Sequence, residues 1–164
     1  MRPGDAGAVR TVLVSAFGGA AEADLVDRVQ NDLVVALVAE RSNGNLAGYV
    51  AFPRLSIESP AVDQDLPNVP AVALAPLAVA ADFGRRGVGA ALVRRGLAML
   101  AERNEQIVFV LGPATYYTRF GFDADAAASF RSRYAGPHFM ALRLTPAAPS
   151  NGIIRYPAAF DQLR

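Results

Sequence analysis

Leu77-Ala78-Val79-Ala80-Ala81-Asp82-Phe83-Gly84-Arg85-Arg86-Gly87-Val88-Gly89-Ala90-Ala91-Leu92 joins the end of an apolar run to the start of an amphipathic one. The run Val72–Val79 is nearly all apolar, as expected of a central strand buried on both faces. Pro76 interrupts it. Proline cannot donate to a sheet ladder, so a bulge or a splayed strand is expected there. From Gly87 to Arg103 the pattern changes. Val88, Ala91, Leu92, Gly96, Met99 and Leu100 recur on one helical face, and Arg94, Arg95, Glu102 and Arg103 lie mostly away from it. Strand, glycine-bearing turn and long helix follow one another directly. A helix N-terminus exposes free N–H groups and the positive end of the dipole, so it attracts phosphate. Glycines let those N–H groups approach an anion without a Cβ in the way. Such a turn can also merely pack a helix against a sheet. Arg85 and Arg86 at its rim favour phosphate binding.

The kind of phosphate ligand is narrowed by what the segment lacks. A nucleoside-triphosphate loop ends in Gly-Lys-Ser/Thr, yet all 16 basic residues of this chain are arginine. A dinucleotide fingerprint needs a glycine or alanine three residues after Gly89, where Leu92 stands, and no acid follows near the end of the next strand.

Outward from this segment the chain reads as mixed α/β in one domain, residues 1–164. Asp5 caps a helix marked by Val9, Val12, Leu13, Ala16 and Phe17, which Gly18-Gly19 breaks. A second helix is expected over 20–31 and a strand over 34–41. Ser42-Asn43-Gly44-Asn45 is a hairpin turn, with a partner strand over 46–57 bent near Pro53. Residues 58–70 hold Glu58, Asp63, Asp65 and prolines 60, 67 and 70, which suits an exposed lid or substrate loop. Short strands are expected at 107–111, 139–144 and 153–156, with a short helix at 115–120 ended by Gly121.

Composition bounds the function. The chain is 52% hydrophobic with a formal charge of +1, which argues against disorder and against a generally basic nucleic-acid binder. With no cysteine and one histidine, no metal site is expected. The start Met1-Arg2-Pro3-Gly4-Asp5 lacks the apolar core of a signal peptide, and no run approaches the ~18 residues of a membrane span. Cytoplasmic location, away from membranes, is the default expectation.

The segment Gly84–Gly89 resembles motif A of the GNAT superfamily of N-acetyltransferases, Gln/Arg-x-x-Gly-x-Gly/Ala, whose backbone amides hold the coenzyme A pyrophosphate. Gly87 and Gly89 fill the glycine positions, whereas Gly84 stands where Gln or Arg is usual. Phe17-Gly18…Ala21-Glu22…Leu25-Val26, Leu74–Val79, Tyr116-Tyr117-Thr118-Arg119-Phe120-Gly121-Phe122 and Gly152…Arg155-Tyr156…Phe160 resemble, in order, segments of a bacterial subfamily of predicted acetyltransferases. The resemblance implies a GNAT-like fold, with central splayed strands, helices on both faces and a first edge strand shortened or absent. It implies acetyl-CoA as acyl donor, held by Leu77, Ala78, Val79, Gly84, Arg85, Arg86, Gly87, Val88, Gly89 and Ala90. It also implies Tyr117 as the general acid that protonates the thiolate. The phenol has a proton to give, with an ordinary pKa of ~10.

Tyr116, Phe120 and Phe122 are read as core. Glu22, Glu40, Glu58, Asp63 and Asp65 are the acidic candidates for a base, and His138 is read as structural or surface. The acceptor is expected to be a small-molecule or protein amine, its pocket shaped by 58–70 and 124–138. A non-catalytic acyl-CoA-binding regulatory module is the alternative. An exposed C-terminal strand could pair two subunits as a homodimer.

Overall fold

In the computed structural model, residues 1–58 and 69–163 are described. In chain order the elements are α1 (Ala6–Phe17), α2 (Ala21–Arg28), β1 (Leu33–Glu40), β2 (Leu46–Glu58), β3 (Ala71–Ala73), β4 (Leu77–Val79), α3 (Val88–Glu102), β5 (Ile107–Leu111), α4 (Ala114–Tyr117), α5 (Ala124–Ala127), β6 (Phe130–Arg131), β7 (Phe139–Arg143) and β8 (Gly152–Arg155). A 3-10 turn at Pro3–Asp5 leads straight into α1, with no strand before it among the described residues. The Asp5 side chain does not cap α1. It turns back to accept from the Arg2 N–H at 2.5 Å. The lid expected at 58–70 falls largely on residues 59–68, outside the described residues, and Asp63 and Asp65 lie there too.

The chain packs as two compact units. The first holds Met1–Pro53, Ala75–Met99 and Pro157–Arg164, the second Arg54–Leu74 and Leu100–Tyr156. In the first unit β1 and β2 form an antiparallel hairpin, Val38 opposite Tyr49, closed by Arg41 N–H donating to Asn45 O at 2.7 Å. β4 lies antiparallel on β2, with Gly48 opposite Val79 and Val50 opposite Leu77. Alternation along β2 sends side chains to opposite faces. Tyr49 and Ala51 join Val9, Val12 and Leu13 of α1 and Ala23 and Val26 of α2 in one cluster. Phe52 faces α3. A Cβ added at Gly96 would stand 2.3 Å from Phe52 Cε2, so glycine is what lets α3 lie this close to the strand. The central strands of this unit thus carry helices on both faces. Ala91, expected on the apolar face of α3, is exposed, and the buried stripe includes Val93.

The apolar run Val72–Val79 is two strands. β3 ends at Ala73, and β4 begins at Leu77, after the cis Ala75-Pro76 bond. Proline supplies no N–H to a ladder, which accounts for the break at this point of an otherwise strand-like sequence.

In the second unit the order is β6-β8-β2-β3-β5-β7, β2 entering with its distal half. β3 runs parallel to β5, and β7 antiparallel to it. Phe109 stacks on Phe139 at 5.5 Å and meets Phe130 edge-on at 4.9 Å, which fixes the core. Arg54 donates to both carboxylate oxygens of the buried Glu105 at 2.6 Å, so this buried charge is paired. No described helix is long and apolar enough to cross a membrane.

Candidate active site

The turn from β4 into α3 is built on backbone conformation. After the 3-10 turn Ala81–Phe83, Arg85 and Gly87 adopt φ of 63° and 77°. Left-handed geometry suits Gly87 and strains Arg85, which has a Cβ. The first bond of α3 runs from Ala91 N–H to Gly87 O at 2.9 Å. The N–H groups of Val88, Gly89 and Ala90 therefore precede the helical ladder and point out of its end. Gly89 is buried at this start, while Gly84, Arg85, Arg86 and Gly87 are exposed. Amides, dipole and guanidinium charge are the features that would suit an anion there.

β4 supplies a second set of backbone groups. It pairs with β2 and with no other strand among the described residues. Pro76 O accepts from Ala51 N–H at 3.1 Å, and Ala80 N–H donates to Ala47 O at 2.8 Å, so these positions face β2. In an antiparallel ladder the intervening positions face the other way. The N–H and C=O groups of Leu77 and Val79 are thus directed to the open edge, and those of Ala78 to β2.

Charge around the turn is arranged by residues that motif spacing did not single out. Arg41 donates through Nη1 and Nη2 to the two oxygens of Asp82 at 2.6 and 2.7 Å. Its guanidinium also lies over the Phe83 ring at 4.3 Å, and that of Arg86 over the same ring at 4.9 Å. Hydrogen bonding to Arg41 holds the Asp82 carboxyl below the usual carboxylate range. Nothing in the sequence links positions 41 and 82. An arginine beside a hairpin turn and an aspartate beside a glycine turn were the only signals.

In the second unit Tyr117 ends α4. Its ring covers Gly112, where an added Cβ would lie 2.5 Å from Cε2, and meets Tyr116 edge-on at 5.0 Å and Phe122 at 5.9 Å. Tyr117 is 8% exposed, and burial, helped by the Tyr116 hydroxyl, pushes its pKa up to about 12. Phe122 is core as expected, whereas Tyr116 and Phe120 are only half-buried.

Of the acids named as base candidates, Glu40 pairs with Arg2 and Glu58 with Arg155 at 3.1 Å. Glu22 stands half-buried in the first turn of α2, and His138 is exposed at the start of β7. Among the described residues no cluster of His, Asp and Glu could hold a metal.

No protein-family model matches the chain. It is 39% identical over 123 residues to the uncharacterized N-acetyltransferase YjhQ of Escherichia coli K12, a match spanning 73% of this chain but only 65% of that protein. It is 34% identical to the uncharacterized N-acetyltransferase YhbS of the same strain, over 98% of this chain and 95% of that one. Two solved structures are similar over nearly the whole chain. One is the GNAT family N-acetyltransferase YhbS from E. coli in complex with CoA, with TM-score 0.86, 30% identity, and coverage of 100% and 91%. The other is a GNAT family acetyltransferase from Brucella melitensis in complex with acetyl-CoA, with TM-score 0.79, 30% identity, and coverage of 98% and 95%.

Proposed function

The chain belongs to the GNAT family of N-acetyltransferases, and from that premise we propose that residues 1–164 act as one domain transferring acetyl from acetyl-CoA to a primary amine by direct attack. The observation that carries this reading is the turn Gly84–Ala90, where the unbonded amides of Val88, Gly89 and Ala90 meet two exposed arginines. There the pyrophosphate of CoA would be held, with Arg85 and Arg86 supplying the side-chain charge that Gly84 lacks. The outward groups of Leu77 and Val79 suit pantetheine and the thioester carbonyl, an amide N–H being a fit donor for a developing oxyanion. CoA and acetyl-CoA in the two similar structures support the same donor.

Chemistry then needs a neutral amine, a C–N bond formed, a C–S bond broken, and one proton moved from nitrogen to sulfur. Tyr117 is the proposed general acid. With its pKa at about 12 it remains protonated at neutral pH. A thiol titrates near ~8.5, so leaving Tyr117 as tyrosinate would cost about 5 kcal/mol. It therefore serves the thiolate as a hydrogen-bond donor, and gives its proton only as another reaches its oxygen. The acceptor is an amine on a small molecule or a protein. Thiol release from acetyl-CoA, measured across a panel of primary amines, tests the reading. Tyr117→Phe is expected to lower kcat by about 10²-fold or more and to leave CoA affinity within about two-fold. Wild-type turnover in that variant would remove Tyr117 from the mechanism.

A further inference from the structure

Arg41 is fixed at its backbone by the β1–β2 turn, its N–H donating to Asn45 O at 2.7 Å and its O accepting from Gly44 N–H at 3.0 Å. Its side chain leaves the hairpin and engages two consecutive residues of the β4–α3 loop, forking onto Asp82 and covering Phe83. Phe83 in turn carries Arg86. The Arg41 side chain is only 20% exposed, and its Nε is buried without a partner among the described residues, so this placement sacrifices a hydrogen bond. Two things about the loop call for such a contact. Arg85 holds a left-handed conformation that persists only where neighbouring structure enforces it. Asp82 puts a negative charge two residues before a turn assigned to a diphosphate, and like charge there opposes binding.

We infer that Arg41 is a positioning residue for coenzyme A: through Asp82 and Phe83 it holds the pyrophosphate turn in its binding conformation and cancels the Asp82 carboxylate beside it. This rests on the assignment of the Gly84–Ala90 turn to CoA. Arg41 acts through the loop and not on the ligand. Its guanidinium is always charged, so the cancellation persists across the working pH range. Lysine cannot replace it, because an ammonium offers neither the two-point fork onto Asp82 nor the flat face on Phe83.

The test uses the full chain, with calorimetric titration of CoA and steady-state turnover of acetyl-CoA. Arg41→Ala is expected to raise Kd for CoA and KM for acetyl-CoA about ten-fold, the scale of ordering one loop on binding, while kcat at saturation stays within about two-fold. Arg41→Lys should recover only part of the loss. Asp82→Asn in the Arg41→Ala background should recover only part of the affinity, since the uncancelled carboxylate is gone while the hold on the loop is still lost. Asp82→Asn alone, an exposed and mild change, should weaken CoA by a few-fold and stands in if Arg41→Ala fails to fold. Wild-type CoA binding abolished by Gly89→Leu but unchanged by Arg41→Ala or Asp82→Asn would overturn the role of Arg41 and keep the turn. A fall in kcat with KM unchanged would also overturn it. A wild-type chain that binds no CoA would remove the turn assignment and this inference with it.

Discussion

Gly112→Ala perturbs Tyr117 without touching its chemistry. Gly112 follows β5, its N–H donates to His138 O at 3.0 Å, and its φ lies outside the left-handed region, so its backbone accepts alanine. The obstacle is the Tyr117 ring, with the new Cβ 2.5 Å from Cε2, 3.2 Å from Cδ2 and 3.6 Å from Cζ. Carbon atoms rest at about 3.5 Å or more, so the ring must withdraw by about 1 Å. Tyr116 and the buried Phe122 stand against it, which makes this overpacking worth about 1–3 kcal/mol. For a chain of this size each kcal/mol lowers Tm by about 2–4 °C. A 1 Å displacement of a catalytic group costs about 10²-fold in rate. Thermal melting, thiol release and CoA titration should then show a lower Tm, a kcat down by that order, and unchanged CoA affinity. The rate loss should vanish in a Tyr117→Phe background, because no hydroxyl is left to misplace. An unaltered Tm and kcat would refute the packing argument. An equal further loss in the Tyr117→Phe background would show that Gly112 acts by another route.

Arg85→Gly removes a left-handed side chain that costs about 1 kcal/mol and adds about 0.4–1 kcal/mol of unfolded-chain freedom. Melting should therefore stay within a few degrees of wild type while CoA binds more weakly and with a shallower salt dependence; retained affinity would exclude Arg85 from the site. Tyr117 and Tyr156 have pKa values raised to about 12 by burial, against ~10 unfolded. The raised value means their stabilisation is complete below pH ~10 and is lost as pH climbs towards about 12, by about 3 kcal/mol each at most. Denaturant midpoints should fall steeply through that interval, and a flat profile would contradict the burial.

The strand–turn–helix at 77–92 was legible because each part carries its own local signal: an apolar run, glycines, and then apolar residues at helical spacing. The break inside Val72–Val79 was only half legible. Both halves are equally apolar, and Pro76 alone marks that the ladder cannot continue. Asp5 has the composition of a cap, but a nearby backbone N–H competes for its carboxylate. The short strand Phe130–Arg131 is too brief to show alternation. Ala91 is exposed and Val93 buried, a shift of the apolar stripe that helical spacing alone does not encode. Arg41 and Asp82 meet across 41 positions, and only the folded hairpin and loop bring them together. In the sequence only motif register distinguishes Tyr117 from Tyr116. In the structure burial separates them, Tyr117 being the enclosed ring and Tyr116 the half-exposed one.

The Gly84–Ala90 turn is proposed to hold CoA through its backbone. Calorimetric titration of acetyl-CoA into the wild type and into Gly89→Leu, with circular dichroism to verify that both are folded, tests it most directly. Saturable wild-type binding that the variant loses is the expected result, since a side chain at Gly89 would bar the phosphates from the amides. Equal affinity in the two folded proteins would contradict it.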